Sequence, residues 1–158
     1  MNAPLVAAES VALLLLVVSS AFFSSSETCL FSLDPIDIDR LREHHPGAAD
    51  RIERLLAAPT ALLSTILIGN TLINVAAAGL GFALLEGLGA RHAEAISIPI
   101  MTCLLLIFAE MTPKQYAMKN APLFARLYSG PLTVLVRVLA PLQHLLEKTT
   151  ALVSRKPA

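Results

Sequence analysis

Apolar residues dominate three long stretches of the chain, residues 5–33, 60–85 and 93–112, each closed by a proline-led or glycine-rich polar segment. Each reaches the ~20 residues that an apolar helix needs to cross a bilayer. The pattern predicts an all-α membrane protein with three transmembrane helices and cytosolic juxtamembrane amphipathic helices. The first stretch is long enough to be tilted, broken at its serines, or both. Asp34-Pro35-Ile36-Asp37-Ile38-Asp39 stops it, and Pro35 suits the first turn of a new helix. Residues 36–57 carry helical polar patterning split by His44-His45-Pro46-Gly47, which predicts two short helices on the membrane surface. Glu86-Gly87-Leu88-Gly89-Ala90-Arg91 reads as a tight turn between the second and third spans.

Residues 120–151 follow another pattern. Arg126, Arg137 and Lys148 recur at 11-residue intervals among Leu and Val, and Pro122, Pro131 and Pro141 interrupt the run. Such a segment predicts short amphipathic pieces lying on the membrane rather than a fourth span. Residues 152–158 read as a linker toward a separate cytosolic domain, so residues 1–151 form the membrane domain. Val11–Val18 has the apolar core of a signal peptide, but the basic flank is missing and apolar character resumes at Phe22-Phe23. It reads as a retained membrane helix.

Composition agrees with the pattern. Of 158 residues, 55% are hydrophobic and 15% charged, against roughly 25% charged in soluble domains. The formal net charge is zero, which offers no argument for nucleic-acid binding. Cys29 and Cys103 lie in apolar segments without a CxxC or Cys/His pairing, and read as two reduced core thiols. Basic residues set the orientation. Arg40, Arg42, Arg51 and Arg54 sit between the first two spans, Arg91 alone sits between the second and third, and the rest follow Glu110. The positive-inside rule then places the N-terminus outside and the C-terminus in the cytoplasm.

Three polar clusters interrupt the apolar spans. Ser20, Ser24 and Glu27 are spaced four and three apart, on one helix face. Asn70 and Asn74 share a face with the small residues Ala77, Ala78 and Gly81, and Gly69 is a place where a helix can loosen and offer a carbonyl. Glu110 ends the third apolar run, and Pro113 cannot donate to the carbonyl of Ala109 beside it. A carboxylate inside a span is costly unless it meets a cavity, a partner or a cation. Asn70 lies ~15–18 Å and Ser24 ~14 Å from the cytoplasmic ends of their spans at 1.5 Å per residue, and Glu110 can reach back to the same depth. The clusters therefore fall together in the inner half of the membrane.

Hydroxyls, amides, carbonyls and a carboxylate are oxygen donors, suited to Mg²⁺, Ca²⁺ or Na⁺ rather than zinc or copper. A blander reading stands beside each cluster: serines bonded to their own backbone, an Asn pair tying helices together, and Glu110 paired with Lys114 at the membrane boundary. No nucleophile–base pair or phosphate loop is present, so an enzyme is not expected.

The blocks Phe23-Ser24-Ser25-Ser26-Glu27-Thr28, Leu67-Ile68-Gly69-Asn70-Thr71-Leu72-Ile73-Asn74 and Phe108-Ala109-Glu110-Met111-Thr112-Pro113-Lys114 resemble the signature segments of the CorC/CNNM (cyclin M) magnesium transporter transmembrane domain. The resemblance covers nearly the whole chain. It implies a homodimer of three-span protomers in the cell (inner) membrane, exporting Mg²⁺ by alternating access, with Na⁺ entry as the driving force. It also implies Ser24, Ser25 through its carbonyl, Gly69 through its carbonyl, Asn70 and Glu110 as metal ligands, with Asn74 the weaker candidate. Relatives of this kind continue into paired regulatory CBS domains. Two other functions fit the residues alone: a membrane anchor or sensor with a structural ion, and a proton- or Na⁺-coupled carrier of another solute.

Overall fold

The computed structural model describes residues 3–154, and the side chains of residues 4–141. All of its regular structure is helical: α1 (Ala3–Phe31), α2 (Pro35–His44), α3 (Pro46–Leu56), α4 (Pro59–Gly87), α5 (Ala93–Leu104), a π-helical segment (Leu105–Met111), α6 (Thr112–Lys119) and α7 (Ala121–Ser154). The linker expected at residues 152–158 lies, from Arg155 onward, outside the described residues.

The distribution of side chains inverts that of a soluble protein. On α1, Ser20, Ser24, Ser25 and Ser26 are buried, whereas Leu14, Leu15 and Val18 are about 60% exposed. Leu67, Leu72 and Val75 on α4 and Ile98 on α5 likewise point outward. A helix hides its hydroxyls and displays its leucines only where the surroundings are themselves apolar. This is a multi-pass membrane protein.

α1 packs along α4 and along the π segment and α6, while α4 also packs on α5. Gly81 makes the second contact possible, because a Cβ there would lie 2.3 Å from Met101 Sδ. The hydrophobic core is concentrated at one end of the bundle. Cys29 and Leu30 from α1, Leu41 from α2, Ile52 and Leu55 from α3 and Leu62 and Ile66 from α4 meet Ala117, Ala125 and Leu132 there. α2 and α3 form a surface hairpin over that end, tied by Arg42 to Glu53 and by Arg42 to Asp50 at 3.6 Å. His92 takes a left-handed conformation, φ 60°, and Gly89 has φ 75°, which together turn the chain tightly from α4 into α5.

Several expectations need correction. The first span is not broken at its serines. Ser25 and Ser26 donate their hydroxyls to the carbonyls of Ala21 and Phe22, which leaves the helical amides in register. α4 is continuous through Gly69, so the helix does not loosen there. The missing side chain makes room for Phe23 instead, since a Cβ on Gly69 would lie 2.4 Å from that ring. Residues 121–154 are one helix rather than short pieces. Pro131 and Pro141 lie inside it, both on its exposed side.

Among the described residues, four helices are thus long and apolar enough to cross a membrane, against three expected; the fourth is Ala121–Pro141. Its inner face nonetheless gives Ala121, Ala125 and Leu132 to the core beneath α2 and α3. Finally, only one thiol is in the core: Cys29 is buried and Cys103 exposed.

Candidate functional site

The polar residues of α1, α4 and the π segment meet inside the bundle. Ser20 Oγ lies 3.0 Å from Asn70 Oδ1 and 2.6 Å from Asn74 Oδ1, and Asn74 Nδ2 donates to Glu110 Oε1 at 3.3 Å. A carboxylate only accepts, so Asn74 must turn its amide nitrogen toward Glu110 and its oxygen toward Ser20. Ser20 has one hydroxyl proton for two amide oxygens. Three oxygens therefore crowd together with a single hydrogen among them, beside a carboxylate. That is a region of concentrated negative potential in an apolar surround.

One turn along α1, Ser24 Oγ is buried and has no hydrogen-bond partner among the described residues. A buried hydroxyl without a partner costs about 1–3 kcal/mol, which makes an acceptor so placed a natural ligand for a cation. Among the described residues, no three His, Cys, Asp or Glu side chains come together. A cation held here would rest on neutral oxygens with Glu110 as its charged ligand.

The π segment places Glu110. Thr112 donates its amide to Ile107, five residues back, the spacing of a π turn. Pro113 has no amide for the carbonyl at either reach, Ala109 at four residues or Phe108 at five. The wider turn and the missing donor combine to set irregular backbone beside a carboxylate, the arrangement by which membrane proteins present carbonyls to ions. Irregular backbone is thus found beside Pro113, where the missing amide led to its expectation, and not at Gly69.

Of the sequence-derived ligands, Asn70, Asn74 and Glu110 come together, and Ser24 lines the same face of α1. Gly69 is buried beneath Phe23. Ser25 turns its hydroxyl away, to the Ala21 carbonyl at 2.6 Å and to Tyr128 Oη of α7 at 3.3 Å. The boundary pair between Glu110 and Lys114 does not form; Lys114 Nζ approaches Glu27 Oε2 at 3.9 Å. Ser20 is the hub that the ligand assignment missed, although its spacing from Ser24 and Glu27 had put it on the right face.

The two asparagines differ in how they connect to Glu110. Asn74 holds Glu110 directly, whereas Asn70 reaches it only through Ser20 and Asn74. A hydrogen bond to a charged group contributes about 1.5–3 kcal/mol. Asn74→Ala is expected to weaken cation binding roughly ten- to a hundredfold, and Asn70→Ala less. Calorimetric titration of both variants with Mg²⁺ checks the order, and a larger loss in Asn70→Ala would return Asn70 to the leading role.

The profile of the family described as "Cyclin M transmembrane N-terminal domain" matches residues 11–156. The chain is 34% identical over 136 residues to the UPF0053 inner membrane protein YfjD of Escherichia coli, covering 86% of this chain and 32% of that protein. It is 35% identical over 134 residues to a UPF0053 protein of Haemophilus influenzae, covering 85% of this chain and 32% of the relative. A DUF21 domain-containing chloroplastic protein of Arabidopsis thaliana is 34% identical over 123 residues, 77% of this chain and 18% of its own length. The chain thus spans about a third or less of the length of these three relatives.

Proposed function

The chain belongs to the cyclin M family, and on that premise we propose that it is the membrane domain of a Mg²⁺ transporter. In this reading the cluster of Ser20, Ser24, Asn70, Asn74 and Glu110 binds the ion within the bilayer. Export by alternating access, driven by Na⁺ entry, completes the proposal. The protein would work as a homodimer in the cell membrane, with its N-terminus outside and with CBS domains regulating the longer relatives. No enzymatic step is involved.

The observation that carries the reading is the crowding of three oxygens around one hydroxyl proton beside Glu110. Nothing about that arrangement favours a neutral solute, and its donors are the hard oxygens that Mg²⁺ and Na⁺ take. Mg²⁺ gives up water reluctantly, so a partly hydrated ion suits a site with one carboxylate. Once the dication leaves, the same neutral oxygens suit Na⁺.

Purified protein in liposomes loaded with a Mg²⁺-sensitive dye tests the reading. An inward or outward Na⁺ gradient is expected to move Mg²⁺ in the opposite direction, and a K⁺ gradient of equal ionic strength to do much less. The K⁺ control separates coupling from simple screening of a carboxylate. Linkage also requires Na⁺ to lower the apparent Mg²⁺ affinity. Equal effects of Na⁺ and K⁺ would remove the coupling; no Mg²⁺ movement under any gradient would leave an anchor with a structural ion.

A further inference from the structure

Two charged residues outside the polar cluster face each other where α1 and α6 approach the core end of the bundle. Glu27 follows Ser20 and Ser24 on one face of α1, and Lys114 follows Glu110 by one turn. Their side chains are 47% and 43% exposed, whereas Ser20 and Ser24 are at most 2% exposed. Exposure thus rises along α1 from the cluster to the pair. We propose, resting on the cation-transport reading, that Glu27 and Lys114 form a charge gate in which Lys114 is the built-in counter-cation that an incoming Mg²⁺ displaces.

Charge balance gives the reason. Glu27, Glu110 and Lys114 together carry one net negative charge, and a dication added to all three leaves one net positive charge. If Lys114 swings into water, the two carboxylates match the dication. The ammonium sits on a flexible four-carbon stem and is half-exposed already, so it can move without crossing packed side chains. The 3.9 Å separation from Glu27 is an ion pair without a hydrogen bond, readily exchanged. With the cation gone, Lys114 has two carboxylates within reach: Glu27 across the helix interface and Glu110 on the preceding turn. Glu27 keeps it at the edge and away from the ligands. Both are positioning residues, since neither belongs to the polar cluster.

The test is Mg²⁺ titration by calorimetry at low and high ionic strength. Half-exposed pairs contribute up to about 1 kcal/mol, so Lys114→Met should bind Mg²⁺ about two- to fivefold more tightly than the unmodified protein. Lys114→Arg, which keeps the charge, should bind as the unmodified protein does. Glu27→Gln releases Lys114 toward Glu110 and should weaken binding, and adding Lys114→Met to it should recover most of the loss. All of these differences should shrink at high salt, as a merely structural contact would not. Unchanged or weaker binding in Lys114→Met overturns the gate while leaving the transport reading intact. If Lys114→Met does not fold, a Glu27→Gln protein that binds as tightly as the unmodified one has the same force. Absence of Mg²⁺ binding in the unmodified protein overturns both.

Discussion

Glu110→Gln is expected to abolish Mg²⁺ binding at millimolar concentrations while leaving a folded protein. Glutamine keeps the size of the side chain and can still take the hydrogen bond from Asn74 Nδ2 through its own amide oxygen. The hydrogen bond that ties the π segment to α4 therefore survives, and only the charge is lost. At an effective dielectric of about 20, one unit charge 4 Å away contributes on the order of 4 kcal/mol, roughly a thousandfold in affinity. A divalent ion at ligand distance feels the loss at least as strongly. Calorimetry gives the affinity, and size-exclusion profile together with helical circular dichroism establishes that the variant is intact. Near-normal affinity in that folded variant would remove Glu110 from the ligand set. Glu27 would then be the remaining carboxylate on the same side of the bundle.

Much of this arrangement was legible in the chain, because a membrane makes polar residues expensive. A serine, an asparagine or a glutamate inside an apolar run stands out, and helical spacing assigns each to a face. Ser20, Ser24, Asn70, Asn74 and Glu110 were visible in that way, and the helical rise along three spans set them at similar depth. What periodicity could not supply was the hydrogen-bond order within the cluster. Asn70 and Asn74 sit one turn apart on the same face, and only the rotation of α4 against α1 and the π segment decides which reaches Glu110. The π segment itself is a response to Pro113, yet the same residue is compatible with a simple helix end. Lys114 could pair with Glu110 along its own helix or with Glu27 across an interface, and the tertiary packing of α1 on α6 selects the second. The continuity of α7 was hidden for a related reason. Prolines 131 and 141 each remove one intrahelical hydrogen bond, yet the helix runs through both, which the sequence pattern alone does not reveal.

Gly69→Ala is expected to disrupt the site from a position that presents no side chain to the ion. A Cβ at Gly69 would stand 2.4 Å from two ring atoms of Phe23, a distance no pair of carbons tolerates. Phe23 is itself buried and packed edge-on against Phe22, whose ring meets Tyr128 of α7 in the same manner. The ring therefore has little freedom to turn aside, and the strain passes to the α1–α4 contact. That contact is the one that sets Ser20 within 3.0 Å of Asn70 and 2.6 Å of Asn74. Overpacking a tight interior typically costs about 1–3 kcal/mol, and here the separation of the two helices would fall on the polar cluster next door. Gly69→Ala should thus lower thermal stability and weaken Mg²⁺ binding together. A second substitution distinguishes this account from loss of a carbonyl ligand at Gly69. Phe23→Leu removes the ring atoms that the new methyl would strike, so the double variant should recover both stability and binding relative to Gly69→Ala. Contacting residues couple in such cycles by about 0.5–3 kcal/mol, well within calorimetric reach. If the double variant regained stability but not Mg²⁺ affinity, Gly69 would act on the ion through its backbone. If neither returned, the close approach of Phe23 to Gly69 would not be what fixes the spacing of α1 and α4.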